Sequence, residues 1–432
     1  MPVVHPFRAW RYDTARVGPL EKLVTPPYDV ISTAGRARMA SASPFNLVHL
    51  ALPQATGSLD GYAAAAASFR QWKAEGALRQ DAGATLTRHR QTYDMPDGRG
   101  TRTRTGLLGL ISLSEVPAGA VRPHERTLAG PRKDRQRLMQ TVLAQLSPVF
   151  MLAPDPDGVL AALLEETPAE QRGDSYTDDD GHQHSVDVFC DANFAARAAE
   201  LLADVPLLIA DGHHRYESAM ACHQSLTSAA DVPGAVADEA GRVLVEVVSA
   251  ASPGLTVLPT HRTVAGLPNF DLTALVARLG AQATVTPLLA AAPAQMAVSL
   301  LHRIKSDGPG TLGMLAGSPA TAWVIRRRDD AQTSTDDPVE RLDVAYLHSR
   351  ILAEHLGIAE AAVEIGSHVG FVKDVETATQ QLGDGQVQAI FFLNATPLTD
   401  LEAVTAAGRR MPQKSTYFFP KVPAGLVIHG FE

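Results

Sequence analysis

The stretch VPLLIADGHHRYESAM, Val205 to Met220, constrains the fold of this chain more than any other. A short apolar run bounded by turn residues reads as a buried strand. Asp211, Gly212, His213, His214 and Arg215 follow, and a helical pattern begins at once. A buried strand running straight into a helix belongs to layered folds of mixed α/β or α+β class.

The rest of the chain repeats that alternation. SLDGYAAAAASFRQWKAEGAL reads as an alanine-rich helix with a cap at Ser58 and an end near Gly76. ATLTRHRQTY and TRTRTGLLGLISL alternate polar and apolar residues around Asp97-Gly98, a strong hairpin signal. The repeated Arg and Thr of that hairpin are expected on a solvated face. A helix follows over GPRKDRQRLMQTVLAQL, then a buried strand, SPVFMLA, and a second hairpin turning near Asp180-Gly181. Beyond about Val257 the pattern loosens into further helices, the strand TAWVIRR and an acidic loop, DDAQTSTDDP. We therefore expect a core over residues 1–256 with inserted hairpins, and a C-terminal α/β lobe over 257–432.

Bulk properties exclude several classes. A formal net charge of -9 works against non-specific nucleic-acid binding, which needs a basic face to displace counterions. Two cysteines, Cys190 and Cys222, are too few for a disulfide framework or a cysteine zinc cluster, and they fit a reducing cytoplasm. The uncharged run from Leu279 to Leu301 contains Pro287 and Pro293, so two short segments are expected rather than a membrane span.

The strand-to-helix junction carries the most chemistry. Gly212 permits a tight turn and close backbone approach. The first amides of a helix lack intrahelical acceptors and lie at the positive end of its dipole, an arrangement that attracts phosphate or carboxylate. Arg215 adds a bidentate partner for such an anion. Asp211 is expected to cap the helix or hold Mg²⁺, while His213 and His214 are placed to donate to phosphate or move a proton near neutral pH.

Four other segments compete. In TPPYDVIS, two prolines stiffen a turn ahead of Tyr28, Asp29 and a helix capped by Ser32; Asp29 is a candidate base or metal ligand, and a rigid turn is the plainer reading. In VRPHERTLAGPRKDRQRL, His124 and Glu125 precede a helix whose first turns carry Lys133, Arg135 and Arg137. Cations there oppose the dipole, so an anion offsets them or water does. His261 and Arg262 in LPTHRTV read as loop residues after a strand. Lys414, Ser415 and Thr416 resemble a phosphate-binding trio without the glycine loop of a Walker motif. His182 and His184 share one strand face but lack a third metal ligand nearby in sequence, so they are expected as surface histidines of the hairpin.

Taken together, VTPPYDVIS, RPHERTLAGPRKDR, LLIADGHHRYESA, PTHRTV and MPQKSTYFFPK resemble, in order, the bacterial and archaeal family called domain of unknown function 1015. The Asp-Gly-His-His-Arg segment also resembles the phosphate-binding turn of the ParB/sulfiredoxin superfamily, which implies a core of that kind. Gly212 and Arg215 match its partition proteins, sulfiredoxins and free-serine kinases alike. Sulfiredoxins place a cysteine where this chain has His213. Partition proteins place a glutamate there and add a basic helix-turn-helix, for which this chain shows no pattern. Asp211, Gly212, His213 and Arg215 match the kinase pattern. For its N-terminal catalytic glutamate, Asp29 is the first substitute and Glu21 the second.

The resemblance implies phosphoryl transfer on a nucleotide or a small phosphorylated metabolite such as serine or O-phosphoserine, in the kinase or the phosphatase direction. ATP or ADP and Mg²⁺, the latter on Asp211 or Asp29, are the implied cofactors. Gly212, Arg215, Lys133, Arg135 and Lys414 would bind phosphate. Asp29, Asp211, His213, His214, His124 and Glu125 would handle protons. A nucleotide-binding switch without turnover is the alternative. A third reading, metal-dependent hydrolysis, requires His213 and His214 to meet His124 or His261. Arg215→Ala is expected to weaken phosphate binding with little loss of folding.

Overall fold

The Asp97-Gly98 turn joins two long antiparallel strands, β1 (Leu86–Asp94) and β2 (Thr101–Ser112), in the computed structural model of the protein. Gly98 has φ 71°, the left-handed backbone such a turn requires. The structure describes residues 3–114, 119–127, 129–288, 292–328 and 336–432, so most of the acidic loop at 329–338 lies outside the described residues.

The hairpin lies within an eight-stranded mixed sheet. Its other strands are β3 (Val121–Pro123), β4 (Val149–Ala153), β5 (Gln171–Thr177), β6 (Gln183–Phe189), β7 (Leu207–Asp211) and β8 (Arg242–Ser249). They run in the order β3-β7-β4-β8-β2-β1-β6-β5. Alternate residues of the central strands supply two cores. Leu108, Leu110 and Leu244 face one, while Leu107, Ile111, Val243, Val245 and Val247 face the other. Each such side chain contributes roughly 1.5–3 kcal/mol when fully buried. With both faces covered, the strands read as apolar runs and not as clean alternation.

That burial overturns the expectation of a solvated Arg/Thr face. Because β6 flanks the hairpin on one side and β8 on the other, Arg88, Arg104, Thr87 and Thr105 are all buried. Arg88 pairs with Asp187 at 2.6 Å and donates to the carbonyls of Leu164 and Thr167. Arg104 donates to Gln91 and to the Pro420 carbonyl, with its guanidinium 4.8 Å from the Phe150 ring centre. The cap at Ser58 is also corrected. The helix Gly61–Ala74 is capped two residues later, by Asp60, whose carboxylate accepts from the Ala63 amide at 2.9 Å.

The chain forms two compact units, and neither is a single continuous stretch. One comprises Met1–Pro123, Thr127–Thr256 and Pro420–Glu432; the other comprises His124–Arg126 and Val257–Phe419. The last residues join the first unit because His429–Gly430 pairs with Ala144–Gln145. Residues His124–Arg126 join the second, where the His124 carbonyl accepts from the Met411 amide at 2.7 Å.

The second unit is built on a six-stranded sheet in which the paired strands are antiparallel. Its strands are β9 (His261–Val264), β10 (Ala283–Leu288), β11 (Thr311–Ala316), β12 (Thr321–Arg327), β13 (Val369–Val372) and β14 (Ala389–Phe392), in the order β10-β12-β11-β14-β9-β13. His261 and Arg262 therefore lie on a strand with sheet neighbours on both sides, and not on a loop. The run from Leu279 to Leu301 divides into the end of the helix Leu272–Gln282, β10 and the start of the helix Pro293–Asp307.

Asp343 makes a testable point about this unit. Burial pushes its carboxyl up to about 6, against the Gly310 amide and the Arg327 charge, which favour ionisation. A carboxyl raised in the folded state gives stability that is complete below its unfolded pKa and lost as pH rises through about 6. Asp343→Asn keeps an acceptor for the Gly310 amide and removes that loss. It should gain roughly 2 kcal/mol above pH 7 and little at pH 4. Melting curves at both pH values decide the matter, and an equal effect at each contradicts the assignment.

Candidate functional site

In the first unit, β7 ends at Asp211 and the helix His213–Ser228 begins two residues later. Gly212 makes the corner with φ 92° and ψ 27°. A side chain is excluded there twice over. The backbone is left-handed, and a Cβ would lie 2.9 Å from the Arg215 guanidinium carbon. Arg215 folds back under the turn, donating to Asp211 Oδ2 at 2.5 Å, to Ser147 Oγ at 2.8 Å and to the Pro148 carbonyl. Lys421 donates to the other oxygen, Asp211 Oδ1.

Burial alone would raise the Asp211 pKa, but Lys421 and then Arg215 outweigh it and hold the carboxyl well below the usual carboxylate range. One ionised carboxylate thus faces two cations, so that Asp211, Arg215 and Lys421 together sum to one positive charge at the start of a 16-residue helix. That excess and the helix dipole act in the same direction.

Arg215 lines a partly open cleft with a cavity volume of about 50 Å³. Leu138, Met139, Leu146 and Val149 form much of its apolar wall, and Tyr28, Arg135, Gln145 and Ser147 supply polar groups. Arg135 stacks over the Tyr28 ring at 4.2 Å from its centre. It also donates to the Ala51 carbonyl at 2.6 Å and to Asp134. The Tyr28 phenol is raised by burial and by neighbouring Asp29, against the charges of Arg135 and Arg215. An apolar wall with a few convergent polar groups is the usual form of a small-molecule site.

The structure sorts the expected residues into two sets. Asp211, Gly212 and Arg215 meet at the corner, with His213 buried close enough to act on the Asp211 charge. His214 is half-buried on the same helix, and Arg135 shares the cleft. Asp29 and Glu21 are exposed; Asp29 follows Tyr28 on the short helical turn Tyr28–Val30. Lys133 is exposed on the helix Ala129–Val142, which also carries Arg135.

His124, Glu125 and Lys414 form their own arrangement in the second unit. His124 Nε2 lies 2.8 Å from Thr416 Oγ1, and Glu125 accepts from the Ser415 amide at 3.1 Å. The buried Arg262 donates to the carbonyls of Gln413 and Lys414, both at 3.0 Å. Lys414 is exposed, with φ 55°. His261 is spent internally, accepting from the Leu393 amide at 3.2 Å.

Sequence reasoning passed over Lys421, Ser147 and Gln145, and gave Tyr28 no role. Lys421 had a usable signal, since it is the lone charge in the apolar C-terminal run from Tyr417 to Ile428. Mg²⁺ at Asp211 does not fit, because each carboxylate oxygen already carries a cation. Asp178, Asp180 and His182 bring candidate ligand atoms within 4.8 Å of one another at the second hairpin. Both oxygens of Asp178, however, already accept hydrogen bonds.

The family model described as Protein of unknown function (DUF1015) matches residues 4–345. No curated protein matches the sequence. Among solved structures, a mutant free serine kinase in complex with ADP aligns at a TM-score of 0.37 and 13% identity, over 74% of this chain and 92% of that one. A conserved hypothetical protein from Pyrococcus furiosus aligns at 0.37 and 14%, over 73% and 93%. SbnI from Staphylococcus aureus, truncated at its C-terminus, aligns at 0.34 and 11%, over 74% and 87%. Among the described residues, no helix is long and apolar enough to cross a membrane.

Proposed function

We propose that this chain, which belongs to the DUF1015 family of proteins of unknown function, binds a phosphorylated small molecule in the Arg215 cleft and transfers its phosphoryl group. The observation that carries this reading is the excess cation at the Asp211 corner, beside an apolar wall shared by Tyr28 and Arg135. A nucleotide suits such a cleft: its phosphates take the charge and its base takes the wall. Serine or O-phosphoserine is the narrower substrate we would test first, with ATP or ADP as the phosphate partner. Transfer of this kind rests on positioning and electrostatics, which a site with few reactive groups can supply.

In this reading Gly212 and Arg215 engage phosphate, and Lys421 holds Asp211 so that Arg215 stays charged in place. Asp29 is the exposed carboxylate nearest in sequence to the cleft-lining Tyr28, and we assign it the hydroxyl proton or a Mg²⁺ ion. His213 and His214 remain candidates for proton transfer.

The test is thermal shift with ATP, ADP and O-phosphoserine, each with and without Mg²⁺. A ligand that binds only the folded state raises its apparent stability, by about 2.7 kcal/mol at a hundredfold excess over Kd. No shift with any of the three contradicts the proposal. Asp29→Asn then separates an enzyme from a switch: an enzyme loses turnover while keeping the shift.

A further inference from the structure

A chain of buried titratable groups crosses the eight-stranded sheet from β8 to β6. Glu246 on β8 contacts His89 Nδ1 on β1 at 3.1 Å, and His89 Nε2 lies 3.0 Å from His184 Nδ1 on β6. His184 Nε2 lies 3.1 Å from Asp178 Oδ2, which His182 Nδ1 also meets at 3.0 Å. Glu246, His89 and His184 are at most 3% exposed. Gly106 makes room for the carboxylate, since a Cβ there would lie 2.5 Å from Glu246 Oε1.

Four hydrogen bonds link these five groups, and each needs one proton. Two ionised carboxylates and three neutral imidazoles supply only three N–H protons. One link would then oppose lone pair to lone pair, which is costly in the interior.

We infer that the chain holds a fourth proton, resident on the Glu246–His89 pair, and that docking of the β5–β6 hairpin against β1 depends on it. The direction of the bonds locates the proton. Burial lowers the His184 pKa to about 4, so that ring is neutral. Burial would raise Asp178, but hydrogen bonds from His182 and His184 outweigh it and keep the carboxylate ionised. His184 therefore donates from Nε2 and accepts at Nδ1, so His89 Nε2 must donate. The His89–Glu246 link needs its own proton, carried on His89 Nδ1 or on the carboxyl. The buried Arg104 lies two residues from Gly106 on the same face of β2, Tyr176 stacks on His184 at 4.4 Å, Tyr93 meets the edge of His182, and burial, with Asp178, Glu246 and Glu21, keeps the Tyr176 phenol un-ionised.

Rising pH removes the fourth proton and opens one link, loosening the hairpin. Glu246→Gln supplies a permanent N–H donor to His89 Nδ1 and completes the chain without a titratable proton. Hydrogen exchange of the full chain between pH 6 and 9.5, corrected for intrinsic rate, reads the effect over residues 171–189. The parent should lose protection about tenfold, the scale of one bond to a charged group, and Glu246→Gln should not. Histidine ¹⁵N spectra of the parent at pH 7 should show His184 as the Nε2–H tautomer. A Nδ1–H tautomer at His184 overturns the inference even if the variant fails to fold. Protection that does not change with pH in the parent, or that falls equally in both proteins, overturns it too.

Discussion

Gly212→Ala should destabilise the first unit by about 3 kcal/mol and displace Arg215 from its position under the turn. A left-handed backbone costs an L-residue roughly 1–2 kcal/mol. The new methyl adds a second cost, because it would lie 2.9 Å from the guanidinium carbon and the guanidinium has nowhere ready to go. Its donors are committed to Asp211, Ser147 and the Pro148 carbonyl, so moving it breaks buried bonds. Gly130→Ala is the control. That glycine lies in a helix, a methyl added there would meet nothing within 4 Å, and the variant should gain up to about 1 kcal/mol. Urea denaturation of both variants makes the comparison, and equal stabilities would show that the corner imposes no such constraint.

Arg215→Ala should lower stability by about 3 kcal/mol and phosphate affinity by at least tenfold. The first figure corrects the expectation, drawn from sequence, that folding would be little affected. Arg215 is 7% exposed, and its loss strands the Pro148 carbonyl and one oxygen of the half-buried Asp211 carboxylate. Removing one partner of a buried ion pair costs about 3–5 kcal/mol, and Lys421 offsets part of it here. The affinity loss follows from charge. Without Arg215, Asp211 and Lys421 cancel, and no excess cation remains at the helix start. Calorimetric titration with ADP, at a temperature where the variant is folded, measures it. Unchanged affinity would remove this corner from the proposed site. Lys421→Ala offers an independent check, since it cancels the same charge without removing the cleft-lining arginine.

Much of the fold was legible because local rules set it. The turns at Asp97-Gly98 and Asp180-Gly181 carry left-handed glycines at Gly98 and Gly181, and Ser32 caps its helix through the Gly35 amide, as their residue types imply. Long-range placement was not legible. An alternating Arg/Thr pattern means a solvated face only if the strand lies near an edge, and β1 and β2 are interior strands of an eight-stranded sheet. Arg262 was read as a loop residue because strand β9 has only four residues and depends on neighbours from Val369–Val372 and Ala389–Phe392. Likewise, His182 and His184 looked like surface residues until β1 brought His89 against His184.

What the sequence determined by itself was the Asp211–Arg215 corner: an apolar strand, a glycine able to turn left-handed and a helix start are local properties, fixed by backbone sterics within a dozen residues. What only the tertiary structure decided was the charge at that corner. Lys421 reaches Asp211 across 210 positions of sequence, and whether two cations share one carboxylate depends on burial and distance in space, neither of which is encoded by spacing along the chain.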